Sequence, residues 1–417
     1  MDLQYTAEDV AYRQRVRAWF AEHLPKQPLD TQEERRAWHR QLYEAGFIGM
    51  GWPKAYGGQE ARPLEQAIVG EEQARVNAPA GLNGLGIGIV GPTIIHHGTE
   101  AQKQRFIKKI LTAEELWCQL YSEPNAGSDL ASLRTRAVRE GDHYVVNGQK
   151  VWTSGGLHAD WGLLLARTDP DAPKHQGISC FLLDMHAPGV DVRPLKQISG
   201  SAEFCEVFFD NVSVPAENLV GELNRGWQIA QTTLSYERGG NLLSRVSRQL
   251  AHFARLVEVC QTLKRDGKPA IADPLIRQRL GRIYAEIEVL RYSSLRLLSR
   301  LEKGQRPGPE SSVAKLYYSE LDKRIQELAL EILGPYGQLA DGLPADLTLD
   351  GERHYGEAGS WVYTFVWSRA GTIYAGSNEI QKNIIGERVL GLPKEVRTDR
   401  ILAQQKAAAA ATGKGDK

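Results

Sequence analysis

The chain lacks the features that assign many sequences to a functional class at once. Its 51 basic and 51 acidic residues cancel, so no overall electric field attracts nucleic acid or an anionic membrane. No apolar run reaches the roughly 18 residues that span a bilayer, and the charged N-terminal segment lacks the apolar block of a signal peptide. No CxxC pair occurs among the four cysteines, which argues against a zinc knuckle or a thioredoxin-type site. We therefore expect a cytoplasmic protein that binds neither nucleic acid nor membranes.

Common nucleotide-binding and metal-binding motifs are absent too. The sequence contains no GxGxxG after a β-rich run, no GxxxxGK[ST] and no HExxH. His96 and His97 are adjacent, so on a helix their side chains would diverge. The sequence therefore predicts no nicotinamide-binding Rossmann domain, no P-loop and no metal site.

What is present divides into three regions of different pattern. Residues 1–118 and 224–395 show helical periodicity, whereas residues 119–223 contain short β-rich runs. We predict a multi-domain α+β fold with an N-terminal α-helical domain, a middle antiparallel β-barrel or sandwich, and a C-terminal helix bundle. Residues 396–417, where an alanine run ends in polar residues, are expected to be a flexible tail.

Two glycine-containing segments carry local predictions. Asn147-Gly148 lies between two β-rich runs and predicts a hairpin turn. The apolar segment from Gly81 to Gly91 is a poor isolated helix, because each glycine costs about 1 kcal/mol relative to alanine. It favours either close backbone packing or room for a bulky ligand.

Two segments of the middle region could hold a ligand. Between Tyr121 and Asp129, Gly127 lets backbone amides approach a ligand and Ser128 adds a hydroxyl, which suits a pyrophosphate, although a plain turn has the same composition. Farther on, Trp152 could pack on a tricyclic ring beside the Ser154 hydroxyl, or it could fill the core between strands.

The C-terminal region contains two further candidate segments. Glu237 and Arg238 are neighbours on a predicted helix and point about 100° apart, so they need not neutralise each other. The alternative is that Glu237 is one more solvated glutamate. In the segment that ends at Gln381, Gly376 interrupts a helical pattern and Ser377 is a good N-cap for its restart, with or without a cofactor role.

The order and spacing of these segments resemble the acyl-CoA dehydrogenase family over nearly the whole chain. The segments that begin at Tyr121, Asn147, Phe208 and Ile373 carry the resemblance. It implies FAD held between the β domain and a C-terminal four-helix bundle. It also implies removal of an α-proton and a β-hydride from an acyl-CoA thioester, with electrons passed to an electron-transferring flavoprotein. The implied assembly is a homotetramer or a heterotetramer.

The resemblance also assigns roles to residues. Within one subunit it implies FAD contacts at Tyr121, Ser122, Gly127, Ser128, Trp152, Ser154, Ser377 and Glu379. On the segment that meets a neighbouring subunit's FAD it implies Glu331 and Gly334. The implied substrate contacts are Ser128, Arg238, Ala375 and Gly376, and the backbone N–H of Ala375 is expected to bond the thioester oxygen.

Two departures from the family pattern affect these expectations. Members often carry their catalytic base in a Tyr-Glu-Gly triplet, but this chain has Ala375 at that position. A second branch, which includes isovaleryl- and long-chain acyl-CoA dehydrogenases, places the base on the helix position that matches Glu237. Glu237 is therefore the predicted catalytic base, with Arg238 beside it. The segment 264–269 replaces a usual Arg-x-x-Phe-Gly motif that bonds FAD across the interface, so the adenosine contacts stay unassigned.

Two other functions are open at this point. A flavin monooxygenase or nitroalkane oxidase on the same scaffold would not need a base at Glu237. A non-catalytic partner subunit of a mixed tetramer would bind rather than react.

Overall fold

The structure, a computed structural model, describes residues 5–239, 242–305, 308–339, 342–349 and 360–394. At residues 237–239, 242 and 244 the description covers the backbone alone. The predicted tail at 396–417 and the side chains of Glu237 and Arg238 therefore lie outside the described residues.

The N-terminal region is helical, as predicted. Its helices are α1 (Ala7–His23), α2 (Gln32–Glu44), α3 (Pro63–Arg75), α4 (Gly91–His97) and α5 (Glu100–Leu111). Capping boxes at Thr6, Thr31 and Thr99 satisfy the first amides of α1, α2 and α5. A π-helical turn, Gly86–Val90, leads directly into α4, so the glycine-rich segment does form helix once it is packed.

The middle region is one eight-stranded sheet. The strands are β1 (Trp117–Leu120), β2 (Arg136–Glu140), β3 (His143–Ser154), β4 (Trp161–Arg167), β5 (Ile178–Asp184), β6 (Val190–Leu195), β7 (Phe204–Pro215) and β8 (Leu219–Val220). Most neighbours are antiparallel, as predicted, but β1 and the end of β2 pair with β4 in parallel. The sheet folds over on itself, because the rings of Tyr144 in β3 and Phe181 in β5 lie 4.9 Å apart although two strands separate them in the sheet order.

The predicted hairpin at Asn147-Gly148 is wrong. Strand β3 continues through both residues, and the chain instead reverses between Glu140 and His143. Gly148 has φ 150°, and a Cβ there would lie 2.7 Å from the Thr135 Cα, so the glycine serves close strand approach rather than a turn.

The C-terminal region is helical. Its helices are α6 (Gly226–Gly239), α7 (Leu242–Thr262), α8 (Pro274–Glu302), α9 (Ser311–Leu333), α10 (Trp361–Ser368) and α11 (Asn378–Ile384), and a short hairpin joins β9 (Lys264–Arg265) to β10 (Lys268–Pro269) before α8. Leu256, Leu290, Leu328 and Trp361, one from each of α7 to α10, share one buried apolar cluster, which is the core of the predicted bundle. Among the described residues, no helix is long and apolar enough to cross a membrane.

Helices α4 and α6 join the N-terminal region to the C-terminal one. The Thr93 and Thr233 hydroxyl oxygens lie 3.1 Å apart, and the His97 carbonyl oxygen lies near Gly221, beside the Ile229 side chain. The helices therefore run antiparallel. Residue 237, one turn beyond Thr233, consequently lies alongside the π-helical turn.

Candidate functional site

The loop after β1 joins the sheet to α6. The Tyr121 side chain is buried, and its hydroxyl lies 3.0 Å from the Thr233 Oγ1 as a hydrogen-bond donor. The next residue, Ser122, is half-buried and its carbonyl accepts a bond from the Val151 N–H at 2.9 Å. The two residues predicted to meet a flavin thus lie where α6 and β3 approach each other.

A buried ion pair, which sequence reasoning missed, holds this loop. Lys150 Nζ lies 2.8 Å from Glu123 Oε1 and 2.9 Å from the Tyr121 carbonyl oxygen. Glu123 also accepts backbone bonds from Arg134 and Thr135. Both residues lie inside the segments that carry the family resemblance, so the motif itself was the signal that could have found them.

Burial and attraction act in opposite senses on this pair. Burial lowers the pKa of Lys150 to about 8, against the attraction of Glu123. Burial alone would raise the pKa of Glu123, but Lys150 and the backbone donors outweigh it and hold that pKa below its ordinary value. The pair therefore fixes the loop from the interior of the protein.

The tip of the same loop is open. Gly127 and Ser128 are exposed, and a Cβ on Gly127 would meet nothing within 4 Å. An open glycine beside a free-standing serine leaves backbone and hydroxyl donors accessible to an anion. The placement suits the predicted pyrophosphate contact.

Trp152 does not fill the core. Its side chain is 57% exposed and its backbone has φ 60°, in the left-handed region that a large side chain rarely adopts. The cause is a bulge, since β3 has one more residue than β7 between the pairs Lys150–Val207 and Thr153–Cys205. The ring of Phe204 supports the indole edge at 5.9 Å between centroids. Strain that displays an aromatic face is typical of a binding site.

The neighbours of Trp152 have polar groups turned inward. Ser154 is half-buried at the end of β3, where the Gly155 N–H bonds the Glu203 carbonyl at 3.0 Å. The Thr153 hydroxyl is fully buried and has no hydrogen-bond partner among the described residues. The exposed indole and the buried threonine lie on opposite faces of the strand, so the Trp152 side chain alone is presented at the surface.

The turn before α11 is the second part of the site. Ala375 has φ 54° and Gly376 has φ 83°, so two successive residues are left-handed. Ser377 caps α11 by accepting from the Ile380 N–H at 3.4 Å, as predicted. Glu379 is exposed in the first turn, where its own backbone N–H and the Ser377 hydroxyl lower its pKa.

Two neutral amide side chains hold this turn, and sequence reasoning missed both. Gln381 Nε2 donates to the carbonyl oxygens of Ala375 and Gly376 at 2.9 and 3.2 Å. The Asn378 side chain accepts from Lys315 and Ser319 of α9 and donates to Glu320, also of α9. These bonds hold the turn that carries the Ala375 N–H.

Helix α6 brings the predicted base position to the loop after β1. Its buried line runs through Gly226, Ile229, Ala230 and Thr233, and residue 237 continues that line one turn farther. Because Thr233 touches Tyr121, position 237 lies on the face that meets the loop after β1. Arg238, the next residue, lies about 100° around the helix axis.

Glu331 and Gly334 are not brought to this site. Glu331 lies at the C-terminal end of α9, about 18 Å along the helix from Ser319, and pairs with Arg279 at 2.5 Å. It lines a cleft of about 950 Å³ with four cations, Arg265, Lys268, Arg279 and Arg282. Gly334, just beyond α9, has φ 56° and open space at its Cβ position. Asp266 and Asp273 also line this cleft, so its lining is charged with both signs. A separate cleft of this kind is compatible with contacts to a neighbouring subunit's cofactor.

The described residues fit FAD. The exposed indole of Trp152 offers a flat surface for an isoalloxazine ring, and the open tip at Gly127 and Ser128 offers donors for a pyrophosphate. The half-buried Ser154, two residues after Trp152, adds a hydroxyl near the end of the same strand.

Comparison with known proteins gives the same assignment along the chain. Sequence profiles described as "Acyl-CoA dehydrogenase, N-terminal domain", "middle domain" and "C-terminal domain" match residues 6–114, 118–212 and 224–390. "Acyl-CoA dehydrogenase IpdE1" of Mycolicibacterium smegmatis is 40% identical over 408 residues, which cover 93% of this chain and 98% of that protein.

Two solved structures are similar in fold and sequence. The "Tcur3481-Tcur3483 steroid ACAD" superposes with a TM-score of 0.81 at 30% identity and covers 95% of this chain and 100% of that one. The ChsE4-ChsE5 complex from Mycobacterium tuberculosis superposes with a TM-score of 0.80 at 33% identity over the same shares of the two chains.

Proposed function

The chain belongs to the acyl-CoA dehydrogenase family, whose members oxidise an acyl-CoA thioester with FAD, and we propose that Glu237 is its catalytic base. One observation carries this proposal: the Tyr121 hydroxyl contacts Thr233 at 3.0 Å, one helical turn before residue 237. Position 237 is thereby directed toward the loop that the family uses at its flavin. No carboxylate competes at the alternative position, because Ala375 occupies it.

Four groups of this chain have roles in the proposed dehydrogenation. The Ala375 N–H donates to the thioester oxygen, where charge grows as the α-proton leaves. The Glu237 carboxylate takes that proton. Bound FAD supplies the acceptor for the β-hydride. Trp152 and the fixed loop at Tyr121 keep the reacting carbons in place and exclude water from them.

Replacement of Glu237 by glutamine tests the base. The variant should keep bound FAD but lose flavin bleaching by acyl-CoA about 10²–10⁴-fold, because a general base contributes that much. Glu222→Gln, at an exposed glutamate before α6 that pairs with Arg225, is the matched control and should bleach normally. Normal bleaching in Glu237→Gln would refute the assignment. The double variant Glu237→Gly/Ala375→Glu should recover part of the rate if both positions face the same α-carbon.

The acyl group is proposed to be bulky. Gly84 and Gly88 are in and beside the π-helical turn that lies along residue 237, and a Cβ on either would meet nothing within 4 Å. A similar structure is named a steroid ACAD, so fused-ring acyl-CoAs derived from steroids are the first substrates to test. Bleaching by a panel of acyl-CoAs decides the matter, and strict preference for butyryl-CoA would contradict the proposal.

The assembly is proposed to be a tetramer, with electron-transferring flavoprotein as acceptor. The cleft at Glu331 lies about 18 Å along α9 from Ser319, which bonds the Asn378 side chain near the turn at Ala375, and this separation suits a contribution to a neighbour. A mixed tetramer is the second candidate, because two similar structures are named for pairs of chains. The purified chain decides between them: a yellow tetramer that bleaches supports the first, and a colourless chain that becomes yellow only with a partner chain supports the second.

A cytoplasmic location is also proposed. All four cysteines are buried and free. Free thiols throughout are typical of a reducing compartment. Cell fractionation with a disulfide-dependent periplasmic enzyme as marker tests this.

A further inference from the structure

Two loops on the β domain meet at the open tip beside Ser128. The first carries Gly127, Ser128 and Asp129, and the second joins β4 to β5 through residues 168–177. Lys174 Nζ lies 2.7 and 2.9 Å from the two carboxylate oxygens of Asp129, so an ion pair links the loops directly after Ser128.

A single arginine holds both loops from below. The Arg167 guanidinium donates to the Ala131 carbonyl at 2.6 Å on the first loop. On the second loop it donates to the carbonyls of Lys174 and Gln176 at 3.1 and 3.0 Å. Burial lowers the pKa of Arg167. An arginine guanidinium has five N–H donors and no acceptor, so the group serves both loops as a donor.

The backbone of Lys174 is therefore held in place by neighbouring groups. Its carbonyl is held by Arg167, and its neighbour His175 packs edge-on against Trp227 at the start of α6, with ring centroids 4.9 Å apart. Its side chain is still 31% exposed. A cation that is fixed at the backbone and partly exposed beside its carboxylate partner can bind an incoming anion with little further ordering.

We propose that Lys174 is the cation of a phosphate-binding rim that it forms with Ser128, and that Arg167 is its positioning residue. The ligand is the pyrophosphate of an ADP-bearing molecule, a group that both FAD and coenzyme A contain. Asp129 keeps the ammonium beside Ser128 until the phosphate binds and then shares it. The inference rests on the proposed function and adds residues to the same site.

Two experiments distinguish coenzyme A from FAD as the source of the pyrophosphate: kinetics with a truncated substrate, and titration of the apoprotein with FAD. We would measure kcat and KM for an acyl-CoA and for the matching acyl-N-acetylcysteamine thioester, which has no phosphate, and FAD dissociation from the apoprotein by fluorescence. If coenzyme A is the ligand, Lys174→Ala should raise KM for acyl-CoA about tenfold, with kcat and the truncated thioester unchanged. If FAD is the ligand, its dissociation constant should rise about tenfold and both thioesters should behave alike.

The controls distinguish charge recognition from general damage. Lys174→Arg should restore most of the affinity, because the charge is kept. Lys103→Ala removes a lysine of similar geometry, 2.8 Å from Glu100 on α5, and should change none of these values. Arg167→Gln should weaken binding of the same ligand as Lys174→Ala does, with a matching rise in KM or dissociation constant.

The proposal is overturned if Lys174→Ala is indistinguishable from Lys103→Ala in every measurement while the wild-type protein bleaches with acyl-CoA. A wild-type protein that does not bleach would instead contradict the proposed function, and the apoprotein titration with FAD would still decide its part of the question.

Discussion

The two parts of the candidate site are fixed by different physical means. The loop at Tyr121 depends on a charged pair, Glu123 and Lys150, removed from water. The turn at Ala375 depends on two amide side chains: Gln381 donates to backbone carbonyls, and Asn378 bonds the Lys315, Ser319 and Glu320 side chains. A buried charge that loses its partner costs far more than an amide that does, and burial shifts the pKa of Lys150 strongly. The difference indicates which half of the site should fail first under each perturbation.

Loss of one member of the buried pair should have the largest effect. Lys150→Met leaves the Glu123 carboxylate buried without its cation and should lower the free energy of unfolding by about 3–5 kcal/mol. Urea unfolding measures this. The double variant Lys150→Met/Glu123→Gln should recover much of the loss, because no uncompensated charge is left. A single variant no worse than the double one would contradict the role given to the pair.

Loss of the amide anchor should cost less. Gln381→Leu leaves the carbonyls of Ala375 and Gly376 without their side-chain donor and should lower the free energy of unfolding by about 1–3 kcal/mol. It should also lower kcat, because the turn that carries the Ala375 N–H is less firmly held. Gln66→Leu, which removes an exposed glutamine bonded to the Ala61 carbonyl at 3.0 Å, is the control and should leave kcat unchanged.

The charged anchor should give stability an unusual pH dependence. Since the pKa of Lys150 falls from its ordinary 10.5 to about 8 in the fold, the unfolded chain binds this proton between those pH values and the folded chain does not. This group alone should therefore make the free energy of unfolding rise with pH in that window, by up to about 1.4 kcal/mol per pH unit. Urea unfolding at pH 8 to 10 gives the free energy of unfolding of the wild type and of Lys150→Met. The difference between the two values should rise with pH, and a difference that stays constant or falls would contradict this prediction.

Replacement of the two left-handed residues, Trp152 and Ala375, by glycine should have the smallest effect on stability. Trp152→Gly and Ala375→Gly each remove strain of about 1 kcal/mol, so neither should destabilise the fold by more than about that amount. For Trp152 this contrasts with the loss of about 3–5 kcal/mol expected when a buried tryptophan is truncated. FAD retention should nonetheless fall in Trp152→Gly and stay normal in Ala375→Gly. Thermal melts and the ratio of flavin to protein absorbance measure both.

Sequence patterns predicted the elements whose cause is local. The long helices followed from periodicity, and the Ser377 cap followed from residue type. The hairpin prediction at Asn147-Gly148 was wrong because the glycine is required by a close contact with Thr135, which precedes the neighbouring strand, and not by a turn. Pattern alone gave two placements for Trp152, and the bulge that exposes it depends on pairing with β7.

The residues that hold the site were missed for a related reason. Glu123 and Lys150 are 27 positions apart, and Asn378 reaches α9 across 59 positions to Ser319. Partners so distant in sequence leave no local periodicity. These residues could have been sought only inside the segments that gave the family resemblance. The assignments of Glu237 and Arg238 stay predictions, because their side chains lie outside the described residues.

The bulge in β3 also constrains how the chain can vary. Along an ordinary strand, Lys150 and Trp152 would share one face, yet the lysine is fully buried and the indole is exposed. The extra residue reverses the alternation between them. One short stretch of β3 therefore places the buried Lys150 on one face and the exposed Trp152 on the other. Deletion of Val151 would make Lys150 and Trp152 adjacent residues, which a regular strand places on opposite faces as they are now, but it would remove the bulge and with it the cause of the left-handed backbone at Trp152. The backbone conformation that presents the indole therefore depends on the number of residues between positions 150 and 154, a constraint that the turn at Gly141 does not have.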